Sequence, residues 1–138
     1  MQFNFNGSNA KHLYVNTILK GTDISNKEMV AAPRFFSNLT LLSQWNNALS
    51  SSIEWQHQSG YFMDEINATR YQGFDVLNLR INYSIKNHEL WFQCINLTDQ
   101  FYATMATKNF SVKGNNAYAY YLGDNRTIAL GWKWNFIP

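Results

Sequence analysis

Charge is scarce in this chain. Asp, Glu, Lys and Arg make up 14% of its 138 residues, against about 25% in an ordinary soluble domain. With 11 Lys and Arg and 9 Asp and Glu, the net charge is +2, too little to draw a nucleic-acid backbone. Cys94 is the single cysteine, so an internal disulfide framework is excluded. No apolar run approaches the roughly 18 residues of a membrane helix, and mean hydropathy is −0.36. The opening residues, Met1-Gln2-Phe3-Asn4-Phe5-Asn6-Gly7, have neither the basic patch nor the apolar stretch of a secretory signal. No export address is therefore expected in the chain as written. His12, His57 and His88 are scattered without ligand spacing. Asp64-Glu65 and Asp99 lack the oxygen array that calcium requires. No nucleophile–base pair or phosphate loop occurs. Neither a metal, a cofactor nor an enzymatic activity is expected.

Aromatics are plentiful, at 17%, and they fall in alternating patterns. In residues 125–136, Ile128, Leu130, Trp132, Trp134 and Phe136 share one face, and Thr127, Ala129, Gly131, Lys133 and Asn135 the other. Period-two alternation predicts a strand. Five more segments read likewise: residues 11–19, 34–45, 48–58, 74–85 and 89–97. The first has the weakest period, because Tyr14 and Ile18 oppose Leu13, Val15 and Leu19. Pro33 marks the start of the second, and Asn46-Asn47 and Lys86-Asn87-His88 read as tight turns. The connections alternate long and short along the chain. An outer-membrane barrel alternates in this way, with long external loops and short periplasmic turns. Strands of about 9–12 residues also suit a tilted crossing of the hydrocarbon layer. Glu54, Arg80 and Lys133 sit opposite the bulky residues, where a barrel would face its lumen. The expected class is all-β, an antiparallel up-and-down transmembrane barrel segment of about six strands. A soluble β-barrel or sandwich that binds a small ligand is the alternative.

Several stretches carry a resemblance. Cys94-Ile95-Asn96-Leu97-Thr98-Asp99-Gln100-Phe101-Tyr102 resembles the Asn-Leu-Thr-Asp pattern near the end of TonB-dependent outer-membrane receptors. Met29-Val30-Ala31-Ala32-Pro33-Arg34 resembles the segment that opens a late strand in that family. Gly60-Tyr61-Phe62 and the run to position 67 resemble an external loop, which returns at Gly73-Phe74-Asp75-Val76. Gly123-Asp124-Asn125-Arg126-Thr127 is similar to the family's Pro-Gly-x-Pro-Arg-Thr, with Asn125 in place of the second proline. Phe136 resembles the terminal aromatic, although Ile137-Pro138 follow it.

The resemblance implies a barrel of about 22 strands, plugged by a separate domain. Such a receptor takes up iron-siderophore or a similar scarce nutrient. Residues 1–138 would be its C-terminal strands, without plug or energy-coupling motif. The chain is expected to be a truncated or fragmentary receptor, not functional alone, because open strand edges cannot face lipid. The implied setting is the bacterial outer membrane. The implied partners are outer-membrane lipid, the rest of the barrel and its plug, the TonB energy-coupling complex, the barrel assembly machinery and the iron chelate; nucleic acid is not among them.

Candidate ligand contacts lie in the outer loops: Tyr61, Phe62, Arg70, Tyr71, Tyr118 and Tyr120, with Lys108, Phe110, Lys113 and Tyr121 beside them. Aromatics interleaved with cations suit an aromatic, anionic metal chelate, although loop packing accounts for the same residues. Trp132, Trp134 and Phe136 are expected to form the assembly signal. Glu54 and Arg80 are expected to pair in the lumen. Trp45, Tyr83, Trp134 and Phe136 on one side, and Phe35 and Trp55 on the other, read as interfacial girdles. Arg126 reads as structural.

Overall fold

The computed structural model describes residues 1–108 and 117–136. Ten strands follow one another: β1 (Gln2–Asn9), β2 (Ile18–Leu19), β3 (Thr22–Asp23), β4 (Phe35–Gln44), β5 (Leu49–Phe62), β6 (Arg70–Ile85), β7 (His88–Ile95), β8 (Ala103–Lys108), β9 (Tyr118–Leu122) and β10 (Thr127–Trp134). Six of them form one antiparallel sheet in the order β1-β4-β5-β6-β7-β10. β2 with β3, and β8 with β9, are separate two-stranded hairpins inside the connections. The sheet is not closed: β1 and β10 are its edges.

The ladder sorts the side chains into two faces. Thr40 pairs with Glu54, Glu54 with Asn78, Arg80 with Gln93, and Gln93 with Ala129. That face also carries Asn4, Asn6, Ser50, Ser52 and Lys133 and is polar almost throughout. The opposite face carries Phe3, Leu41, Ile53, Leu79, Cys94 and Ile128 in one continuous row. Among the described residues no second layer packs on it, and Phe3, Phe5, Ile53, Leu130, Trp132 and Trp134 are exposed. Glu54, Arg80 and Lys133 all fall on the polar face, as the alternation predicts. Asp75 does not: it lies on the apolar face beside His57.

The main-sheet connections are residues 10–34, 45–48, 63–69, 86–87 and 96–126. Long and short alternate, so every long one emerges at the same end. In the turn at 45–48, Asn46 acts through its side chain: Oδ1 accepts the amides of Ala48 at 2.8 Å and Leu49 at 2.9 Å. In the turn at 86–87, Lys86 takes a positive φ of 51°.

Three expectations need correction. The first strand is β1, not residues 11–19. Phe3 and Phe5 alternate cleanly with Gln2, Asn4 and Asn6, while 11–19 is apolar on both faces and is broken by positive φ at Asn16. That segment contributes only an isolated bridge from Leu13 to Glu28 and the short strand β2. β5 and β6 run further than residues 58 and 74, through a close backbone approach where Gly73 adopts φ +88°. The β8–β9 hairpin was not anticipated, because no alternating apolar pattern marks it.

Candidate functional site

The long connections meet at one end of the sheet and pack on each other. Tyr61, Met63 and Ala106 form a small buried cluster, and Ala31, Tyr71 and Tyr118 lean on it. Polar side chains fix each loop to its neighbours. Asp64, buried in the 63–69 turn, accepts the amides of Ala68 and Thr69 at 2.8 Å each. Asn67 sits at φ 60° and imitates a strand partner for Glu28. Its Oδ1 accepts the Glu28 amide at 2.8 Å, and its Nδ2 donates to the Glu28 carbonyl at 2.9 Å. Arg34 grips the Glu28 carboxylate through two guanidinium nitrogens. That hydrogen bonding holds the Glu28 carboxyl below the usual glutamate range and raises Arg34.

The hairpin β8–β9 is tied down by tyrosine hydroxyls. Tyr61 Oη accepts the Ala106 amide at 2.6 Å. Tyr71 Oη donates to the Ala103 carbonyl at 2.8 Å and accepts its amide at 3.0 Å. Tyr118 Oη and Thr69 Oγ1 are 2.5 Å apart. At the base of the same loop, Asn96 is fully buried with φ 51°. Its Nδ2 donates to the carbonyls of Gln100 at 2.8 Å and Asp124 at 3.0 Å, its Oδ1 accepts the Gln100 amide at 2.9 Å, and its own amide donates to Asn78 Oδ1 at 3.0 Å. Three polar atoms of one residue therefore join both ends of the 96–126 loop to the sheet. Asp99 adds an exposed clasp, accepting the Arg126 guanidinium at 3.0 Å and its amide at 3.3 Å.

Tyr61, Tyr71 and Tyr118, read from the sequence as ligand contacts, thus lie within the loop packing. Tyr61 is only 3% exposed. Tyr120 is 52% exposed. Arg70 is exposed, with its guanidinium 5.9 Å from the centre of the Phe62 ring. A cleft of about 270 Å³ between the start of β6 and the hairpin is lined by Tyr71, Phe101, Tyr102 and Tyr120 among others. Phe101 belongs to the stretch that carries the family resemblance, where the sequence marks no ligand contact. Lys108 and Tyr121 lie on the hairpin. Phe110 and Lys113 lie outside the described residues, as do Ile137 and Pro138.

On the polar face, Glu54 and Arg80 do not pair with each other. The Glu54 carboxylate accepts from Nδ2 of Asn38, and from Nδ2 of Asn78 at 3.1 Å. Arg80 donates to Asn82 Oδ1 at 3.0 Å and lies 5.4 Å from the Trp91 ring centre. The ladder sets Glu54 opposite Asn78 and Arg80 opposite Ser52, so the nearer amides take the hydrogen bonds. Lys133 pairs with Glu89 at 3.6 Å. Trp132 and Trp134 project from the apolar face of β10, each ring 5.9 Å from that of His88, and Phe136 follows at 4.6 Å from Trp134.

No protein-family profile and no curated protein matches the sequence. Solved structures do match in fold. The ferric yersiniabactin uptake receptor FyuA from Yersinia pestis superposes with a TM-score of 0.74 at 16% identity, over 98% of this chain and 21% of that one. The siderophore receptor PiuA from Acinetobacter baumannii superposes with a TM-score of 0.71 at 16% identity, over 96% of this chain and 19% of that one. The chain spans about a fifth of the length of each receptor. Its open antiparallel sheet, with loops gathered at one end, has the fold of a segment of a siderophore-receptor barrel wall.

Proposed function

We propose that residues 1–138 are the C-terminal part of an outer-membrane receptor barrel that takes up an iron-siderophore or similar chelate. The observation that carries this reading is the sorting of six strands into one polar and one apolar face, with every long connection at one end. The height of the apolar band supports it. From the Leu77 row to the Ile85 row, β6 advances about 27 Å at ~3.4 Å per residue. At the ~40° tilt of barrel strands that is about 21 Å of height, of the order of the ~25 Å apolar band of such barrels. The polar face is then the lumen wall, opposite a plug that other parts of the receptor supply. Energy would come from the TonB complex acting on that plug.

The chelate would meet the loop end. Phe62, Arg70 and Tyr120, together with the cleft beside Tyr71, are the groups that would meet it. A ring and a cation suit a flat, anionic, aromatic chelate. Trp132, Trp134 and Phe136 would serve as the assembly signal on the closing strand. Ligand-dependent quenching of tryptophan fluorescence in the whole receptor, titrated with ferric catecholates and hydroxamates, tests the uptake reading. No saturable quenching by any chelate would count against it. Purification tests the membrane reading separately, because a chain that stays monomeric and soluble without detergent would support the soluble ligand-binding alternative instead.

A further inference from the structure

At the short-turn end of the apolar face, Ile85, His88 and Trp134 are ladder partners across β6, β7 and β10. The next two rows on that face, moving toward the loops, are Tyr83, Leu90 and Trp132, then Ile81, Phe92 and Leu130. The side chains of these two rows line a mostly apolar groove of about 460 Å³. From the His88 row to the Phe92 row, β7 advances about 14 Å at ~3.4 Å per residue.

His88 stands one row beyond the groove and is half-buried. Its ring lies nearly parallel to two indoles, at 22° to Trp132 and 24° to Trp134. Trp132 Nε1–H donates to His88 Nδ1 at 3.3 Å. An indole nitrogen can only donate, so Nδ1 accepts, and in the neutral ring the hydrogen lies on Nε2. Nε2 has no hydrogen-bond partner among the described residues. No carboxylate shares the row, since Glu89 is on the polar side with Lys133 and Asn135. Lys86, in the adjoining turn, is exposed.

Along the strands the surface therefore passes from an apolar groove to an N–H donor and then to a cation. That order fits an amphiphile whose chain lies in the groove and whose anionic head meets His88. One neutral N–H and one exposed lysine hold a free anion poorly in water, so the buried chain must supply the rest of the binding. The short turns mark the periplasmic side of an outer-membrane barrel, and tryptophans gather at the headgroup level of a bilayer.

We propose that this groove holds an acyl chain of a glycerophospholipid whose phosphate accepts the His88 Nε2–H. The proposal rests on the membrane reading given above. Native mass spectrometry of the chain in detergent micelles tests it, with phosphatidylglycerol, diacylglycerol of identical acyl chains and glycerol 3-phosphate as probes. The phospholipid should be retained over the diacylglycerol by roughly tenfold, as expected for a hydrogen bond to a charged group. His88→Phe keeps a ring between the indoles without the N–H and should remove most of that preference. Leu130→Trp, which fills the groove, should lower retention of both lipids. Equal retention of the two lipids by the native chain overturns the proposal, as does a His88→Phe variant that keeps the full preference. Displacement of the phospholipid by glycerol 3-phosphate overturns the role of the groove. Should His88→Phe fail to fold, the native comparison and Leu130→Trp decide. A chain that needs no detergent fails the membrane reading itself, and this is seen before any lipid is added.

Discussion

Among single residues, Asn96 and Arg126 make opposite predictions although they anchor the same loop. Asn96 is fully buried and satisfies three backbone groups through its amide. Asn96→Ala should leave those groups unpaired and cost about 2–3 kcal/mol, read as a lowered urea midpoint in micelles. Arg126→Ala removes a half-exposed ion pair and should cost ~1 kcal/mol or less. Glu28 predicts a pH dependence. Its carboxyl is held below the ordinary glutamate range by Arg34, so the folded loop binds the proton more weakly than the unfolded chain does. The stability this contributes is complete above the ordinary range and is lost as pH falls through the lowered value. The exchange protection factor of the Ala10 amide, which donates to the Arg34 carbonyl at 2.9 Å, should hold at neutral pH and fall only on strong acidification, once the slower intrinsic exchange in acid is divided out. The resemblance drew attention to Asn96 and Arg126. Asn67 was hidden, because its task depends on Glu28 lying beside it in space and 39 positions away in sequence.

At the scale of elements, alternation revealed a strand wherever one face was consistently apolar and the other polar. β4, β5, β6, β7 and β10 were legible for that reason. β1 was less legible because only Phe3 and Phe5 mark its apolar face before Gly7, Ser8 and Asn9 end the alternation. The β8–β9 hairpin was illegible because side chains on β5 and β6 hold it, through the hydroxyls of Tyr61 and Tyr71, and not its own pattern. Tyr61→Phe should therefore strip a buried amide at Ala106 of its acceptor and destabilise the hairpin by about 1–3 kcal/mol. The check is faster hydrogen exchange across β8 with little change in β4. Gly73 governs the extension of β5 and β6. A side chain there would need φ +88° and would put Cβ 2.0 Å from the Gln58 carbonyl oxygen. Gly73→Ala should shorten the β5–β6 ladder toward the loops, visible as lost exchange protection at Tyr61 and Tyr71.

For the whole molecule, the two faces predict opposite tolerances one residue apart. Ile53→Arg places a cation on the apolar face near mid-band and should cost roughly 2–4 kcal/mol in a bilayer. Ser52→Arg, on the polar face, should cost far less. Equal losses in lipid-vesicle refolding titrations would refute a lipid-facing assignment of the apolar side. The sequence could forecast this polarity because it depends only on period. It could not forecast the Glu54–Arg80 relationship, which depends on a register that no local pattern specifies. The direction of the edge strands has a further consequence. β1 runs toward the loop end and β10 runs away from it, so the six strands return the chain to the side from which it set out. Such a block of three hairpins is neutral in orientation. It can be added to a larger wall, or removed from one, without inverting any strand that flanks it, which is what a unit of modular growth requires.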